Sequence, residues 1–271
     1  MPHKAGRTFS LILRVAILFK DIVFGPIKSR RFGVSLGINL LPLTNKVCNF
    51  NCIYCECGWT DLQNAEVNYF PASEILKTIE EQFRSMVTLG TSVDHVTFAG
   101  NGEPTMHPQF GEIIEETVRL RNHYIPRIKI AVLSNGALLG KKKVMSALQL
   151  VDQRVMKLDA GSNDIFQKID MPLAPRPLSW YIAKYKEFNG DLTIQTIFLK
   201  GIHNDLYIDN TAPDEIEQWI QAVQQINPAQ VMMYTIDRET PAAHLKKVPA
   251  SDLDNICQYA QSKGINAKVY L

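Results

Sequence analysis

Strict alternation of strand-like and helix-like stretches is the feature that most restricts the fold of this chain. Short apolar runs at residues 35–41, 95–99, 128–133, 154–158, 192–199 and 230–236 read as buried strands. Amphipathic stretches at 71–87, 110–123, 141–150, 178–188, 213–226 and 251–263 read as helices between and after them, and 266–271 adds a possible last strand. Ile75, Leu76, Ile79, Phe83, Met86 and Val87 would form the apolar face of the first helix, with Ser73 as a candidate cap. Pro213 sits where a helix starts and Gly264 where one ends. Such alternation calls for an α/β fold with a parallel sheet. With 271 residues and no linker, low-complexity tract or repeat, the chain suits one domain.

The polar residues gather where the strands end. A cysteine loop follows the first strand, Gly100-Asn101-Gly102-Glu103-Pro104 the second, Ser134-Asn135-Gly136 the third, Asp159 the fourth, and Asp237-Arg238 the sixth. In parallel barrels the active site is built at those C-terminal strand ends. Gly, Asn, Asp and Ser also favour turns, which is the plain alternative for any one of these loops.

The cysteine loop carries the most specific chemistry. Cys48, Cys52 and Cys55 stand at C-x3-C-x2-C spacing, and the chain has only five cysteines. Thiolates are soft ligands that select zinc, copper(I) or iron–sulfur clusters. Three of them can hold a cube of iron and sulfide and leave one iron open to a small molecule, whereas most clusters use four cysteines. A disulfide is disfavoured by the odd count. A zinc site would need Cys57 as fourth ligand, at a tight C-x-C spacing. Cys257, far along the chain, reads as a small buried apolar group.

With aromatic Tyr54 before the last cysteine, this loop resembles that of the radical S-adenosylmethionine (SAM) superfamily. Residues 100–104 look like its glycine-rich SAM motif. Further segments, at 25–31, 157–161 and 234–238, resemble a subgroup loosely related to tRNA wyosine-synthesis proteins. The resemblance covers residue 21 to the end. It implies a partial (β/α)6 TIM-type barrel over 21–271, with a C-terminal helix and strand. It also implies a [4Fe–4S] cluster on Cys48, Cys52 and Cys55, and SAM chelated by the open iron. One electron then cleaves SAM, and the 5′-deoxyadenosyl radical abstracts hydrogen from a substrate that the sequence does not identify. The cofactors carry the hard chemistry; the protein positions and shields it.

On that resemblance, backbone near Tyr54 approaches the adenine, with simple ring packing as the alternative. Gly100 and Gly102 admit the methionine end, Glu103 orients its ammonium, and Pro104 fixes the turn. Ser134 and Asn135 reach the ribose or carboxylate. Lys157 and Asp159 are further candidates there, although Lys157 could pair with a surface acid. Gln195, polar within an apolar strand, needs SAM or a core group as partner. Tyr234, Asp237 and Arg238 face substrate or SAM, or Asp237 and Arg238 form a structural pair.

What is absent narrows the expectation. No cysteine precedes Cys48, so the second cluster of wyosine enzymes has no ligands here. The electron is expected from an external donor of flavodoxin or ferredoxin type. The substrate could be RNA, a nucleotide or a protein. Lys28, Arg30 and Arg31, Lys141 to Lys143, and Lys246 with Lys247 could meet phosphates, but a net charge of +2 also fits a plain solvated surface. A glycyl-radical-enzyme activase, a tRNA-modifying enzyme and a zinc- or cluster-stabilised binding module remain alternatives. Residues 1–20 are expected as a short extension, an amphipathic helix. Its apolar run 9–19 is interrupted by Arg14 and is too short for a span of about 20 residues. No cleavage site follows it, and cluster chemistry suits a reducing cytoplasm.

Overall fold

The computed structural model describes residues 16–60, 67–174 and 176–271. Most of the expected N-terminal helix therefore lies outside the described residues; residues 16–20 run as irregular chain.

A hairpin comes first. Strand β1 (Val23–Ser29) pairs antiparallel with β2 (Gly33–Ile38). Parallel strands then follow: β3 (His95–Phe98), β4 (Lys129–Ser134), β5 (Gln153–Lys157), β6 (Thr193–His203), β8 (Gln230–Thr235) and β10 (Ala267–Val269). Their order is β1-β2-β3-β4-β5-β6-β8-β10, parallel from β2 onward. Beyond the barrel layer β6 is flanked by two antiparallel strands, β7 (Leu206–Asp209) and β9 (His244–Lys247). The architecture is an open α/β barrel sheet of the kind expected, extended by a last parallel strand.

Helices α1 (Ala72–Leu89), α2 (Phe110–Tyr124), α3 (Lys142–Gln149), α4 (Asn163–Ile169), α5 (Leu178–Lys186), α6 (Pro213–Ile226) and α7 (Ala250–Ser262) lie between the strands. In α1 the buried residues Ile75, Ile79, Phe83 and Met86 recur every three or four positions, so one stripe faces the sheet. Val87, expected on that face, is exposed. The helix begins after Pro71 without a side-chain cap, so Ser73 lies inside its first turn. It stops at Gly90, whose φ of 64° suits glycine and whose N–H meets the Met86 and Val87 carbonyls.

Strands buried on both faces divide their residues between two cores. Ile130 and Val132, Met156, and Val231 and Met233 pack in the large cluster that includes the helices. The alternate residues Ala131, Val155 and Met232 meet Phe32 in a separate cluster that fills the inside of the barrel. Phe32 comes from the β1–β2 turn, so the hairpin supplies part of the interior filling.

Strand β1 and helix α4 were not legible as elements. Gly25 and Pro26 make β1 read as a turn, yet proline is tolerated on an edge strand, and β1 is one. Helix α4 is a short helix between the barrel strands, started by Ser162, whose Oγ accepts from the Ile165 N–H at 3.2 Å.

Residues 104–106 form a short 3-10 turn ahead of α2, and buried His107 follows it. The His107 Nε2 is 3.0 Å from the Phe70 carbonyl, and its Nδ1 accepts from the Gln109 N–H at 3.1 Å. That pattern uses the neutral ring, and burial moves the pKa below its ordinary 6.5. The unfolded chain therefore takes up the proton more readily, and stability falls as pH drops below about 6.5. Urea denaturation is expected to show a steeper loss between pH 7 and pH 5 in the wild type than in a His107→Asn variant. Equal pH slopes would exclude this account.

Candidate active site at the cysteine loop

The chain leaves β2 through Asn39, a buried side chain that braces the next turns. Its amide donates to the Leu41 carbonyl, and its Oδ1 accepts from the N–H groups of Leu41 and Asn101. The cysteine loop that follows is fastened on two sides. On one side the Val47 N–H donates to the Asn101 carbonyl at 2.9 Å, and the Glu103 N–H donates to the Val47 carbonyl at 3.0 Å. On the other, the Asn51 and Ile53 N–H groups donate to the Met171 and Ile169 carbonyls, and Leu173 N–H donates to the Asn49 carbonyl. Backbone pairing, rather than side-chain chance, joins the loop to the end of β3 and to the chain after α4.

That pairing explains one glycine. A Cβ on Gly102, whose φ is 135°, would run into the Val47 carbonyl. The absent side chain is what lets the two segments meet.

Cys48 and Cys52 are buried and Cys55 is half-buried. All three line one cavity of about 200 Å³ with Lys46, Tyr54, Gly100, Gly102, Glu103, Ser134, Asn135, Lys157 and Gln195. Cys57 also lines this cavity, its Sγ 3.5 Å from the Gly100 carbonyl. Among the described residues no three His, Cys, Asp or Glu side chains converge on a single-ion position. Zinc needs its ligands at one point, whereas a cluster spreads its thiolates over several irons. Three thiols that line one cavity are a donor set a cluster can use, with one iron left open.

Lys46 supplies the buried positive charge. Its ammonium donates to the Gly58 carbonyl at 2.9 Å and lies among the thiols. Burial works against that charge, yet Cys55, Cys48 and Cys52 together raise its pKa. The thiols differ among themselves. A hydrogen bond from Cys57, with Lys46 nearby, lowers Cys55 to about 5, while burial pushes Cys48 up to about 12. Burial also raises Cys52, whose Sγ lies 3.3 Å from Asp170 Oδ1.

Glu103 is a buried bracket. Its Oε1 accepts from Thr105 N–H and from the hydroxyls of Thr105 and Ser134, and its Oε2 accepts from Asn135 N–H at 2.7 Å. Burial raises its pKa despite these donors. It thus ties residues 100–104 to the end of β4. Asn135 in turn donates to Asn49 Oδ1 at 2.6 Å and reaches Cys48 Sγ at 3.6 Å. Pro104 opens the short 3-10 turn.

Lys157 is not in a surface pair. It is nearly buried, with its ammonium 3.0 Å from Asp159 and 3.9 Å from Asp170. The Tyr54 hydroxyl bonds both Lys157 and Asp159. Asp159 Oδ1 also accepts from the Ile197 N–H. Among the described residues, Asp170 Oδ2 is buried without a hydrogen-bond partner. Gln195 finds its partner in Arg31, whose guanidinium donates to its Oε1. Asp237 and Arg238 do not pair with each other: Asp237 meets Arg30 at 3.6 Å and Lys247 at 3.8 Å, and Arg238 meets Glu56 at 2.8 Å.

Sequence reasoning missed Asn39, Lys46, Asn101 and Asp170 as members of the site. Asn101 fastens the segment 16–20: its amide group exchanges hydrogen bonds with the Phe19 backbone and donates to the Pro42 carbonyl. Only Lys46 carried a local signal, a lysine two residues before the first cysteine.

The family model of the radical SAM superfamily matches residues 43–176. Among curated relatives, a UPF0026 protein of Helicobacter pylori is 31% identical over 220 residues, covering 80% of this chain and 67% of that protein. A UPF0026 protein of Synechocystis is 30% identical over 224 residues, covering 81% and 77%. A protein of Brachyspira hyodysenteriae named GTPase Obg is 29% identical over 245 residues. The match covers 89% of this chain but only 33% of that one. In structure, a radical SAM methyltransferase from Sphaerobacter thermophilus aligns with a TM-score of 0.64 at 16% identity, covering 87% of this chain and 65% of that one. TYW1 with a bound lysine–pyruvate adduct aligns at 0.56 and 14%, covering 84% and 73%. These two share the fold. The chain belongs to the UPF0026 family within the radical SAM superfamily, the iron–sulfur enzymes that pair a [4Fe–4S] cluster with S-adenosylmethionine.

Proposed function

We propose that Cys48, Cys52 and Cys55 hold three irons of a [4Fe–4S] cluster and that SAM occupies the rest of their cavity. The supporting observation is that all three thiols line one cavity with Gly100, Gly102 and Glu103, and that direct backbone pairing joins the two segments. When bound, the cluster supplies one-electron cleavage of SAM to methionine and a 5′-deoxyadenosyl radical, which takes hydrogen from the substrate. In this reading residues 21–271 form the core domain and residues 1–20 an extension.

The chain's own groups hold and shield. Lys46 offsets the negative charge that thiolates bring into a buried place. Gly100 and Gly102 expose backbone to the cavity, where a carbonyl accepts from the SAM ammonium. Glu103 keeps Ser134 and Asn135 at the cavity wall, where they face the ribose or carboxylate. Tyr54 lines the same wall, with Lys157 and Asp159 fixing its hydroxyl. Gln195 closes it from β6. An external one-electron donor of flavodoxin or ferredoxin type completes the system. Among the described residues no helix is long and apolar enough to cross a membrane.

The test uses anaerobically reconstituted protein with dithionite and SAM. Equal amounts of 5′-deoxyadenosine and methionine are expected. Protein that carries its full iron complement yet forms no 5′-deoxyadenosine would overturn the reading.

A further inference from the structure

A second cavity, of about 300 Å³, adjoins the first and shares Tyr54, Cys55, Cys57, Ala99 and Gly100 with it. Its wall carries three guanidinium groups, Arg30, Arg31 and Arg238, and two carboxylates, Glu56 and Asp237. Both carboxylates are taken: Asp237 pairs with Arg30 and Glu56 with Arg238. Arg31 has no ion-pair partner among the described residues. Its guanidinium makes one side-chain hydrogen bond, to Gln195, and lies 4.8 Å from the centre of the Tyr234 ring. No nitrogen of Arg31 is among the buried groups without partners, and Arg31 lines the cavity wall. Arg31 is thus a half-buried, fork-shaped cation, braced on one edge and stacked on a tyrosine.

We propose that this second cavity is the substrate site, and that it takes a small organic molecule whose single carboxylate or phosphate group docks on Arg31. The inference rests on the reading of the first cavity as the cluster and SAM site. Charge decides the class. Of the three guanidiniums that line the cavity, Arg30 and Arg238 each have a carboxylate within 4 Å, Asp237 being shared with Lys247, and Arg31 alone has none among the described residues. A planar oxyanion matches the free edge of a guanidinium in a bidentate way. Size decides against an RNA phosphate backbone as the ligand of a basic patch. Arg31 turns into the barrel towards Gln195, Arg30 is tied to Asp237 at the rim, and Lys28 does not line the cavity, so the three do not act as one patch.

The test is calorimetric titration of benzoate and of inorganic phosphate, separately, into reconstituted protein saturated with SAM. One of the two is expected to bind. A carboxylate-binding site would favour benzoate and a phosphate-binding site phosphate. Arg31→Gln is expected to weaken that binding by about tenfold or more, and Arg238→Gln, already paired with Glu56, by less than about threefold. Arg31→Lys keeps the charge without the fork and should fall between wild type and Arg31→Gln; it serves as the test variant if Arg31→Gln does not fold. The proposal is overturned if wild type binds neither anion, if the Arg31 variants bind as tightly as wild type, or if SAM displaces the anion. Failure of the first-cavity reading shows separately, as wild type that forms no 5′-deoxyadenosine.

Discussion

Cys52→Ala is expected to lose its iron on reconstitution and to form 5′-deoxyadenosine at least about a hundredfold more slowly than wild type. Loss of an outer-sphere partner alone typically costs ten- to a hundredfold in metal affinity or activity, and loss of a ligand costs more. Cys52 is the deepest of the three thiols in charge terms, facing Asp170 with Lys157 close by. Cys257→Ala is the matched control, since Cys257 packs in α7 among apolar residues and does not line the cavity. Iron and sulfide content with the cluster's visible absorbance give the first readout, and product formation the second. Wild-type iron content in Cys52→Ala would remove Cys52 from the ligand set.

Gly102→Ala is expected to destabilise the protein without metal by about 2–4 kcal/mol, from the strain of a positive φ together with overpacking. The new methyl group would collide with the Val47 carbonyl, so the cysteine loop must move away from residues 100–104. Gly90→Ala separates the two contributions. Its φ is also positive, but nothing lies within 4 Å of the added carbon, so only the conformational cost of about 1 kcal/mol remains. Urea denaturation measures both, and reconstituted iron content should fall in Gly102→Ala alone. Equal losses for the two variants would show that the loop tolerates the displacement.

The barrel was legible because its signals are local and periodic. Each parallel strand is a short apolar run, and each helix shows its stripe within a few turns. The C-x3-C-x2-C spacing and the Gly-Asn-Gly-Glu-Pro segment were legible for the same reason. What stayed hidden depends on partners distant in sequence. Asp170 lies 118 positions from Cys52, and Arg31 164 from Gln195. No window of sequence pairs such residues. Gln195 shows the boundary well: its need for a partner could be read, but not the partner. Lys157 shows the same boundary. Read as a candidate for the SAM carboxylate or ribose, it could also have been in a surface pair; the structure removes only that alternative, placing it at the cavity wall with two carboxylates. The N-terminal hairpin was missed because local turn chemistry at Gly25 and Pro26 masked a strand made by pairing with β2.

The double fastening of the cysteine loop has a consequence for loss of the cluster. Main-chain bonds to residues 101–103 and to 169–173 hold the loop from two sides, apart from anything its thiols bind. A zinc finger, by contrast, folds only when its ion arrives. Here the loop has main-chain partners of its own, so losing a cluster is expected to cost less of the fold than losing its ion costs a zinc finger. Removing bound iron and sulfide is then expected to loosen the thiol side chains more than the main chain of the loop.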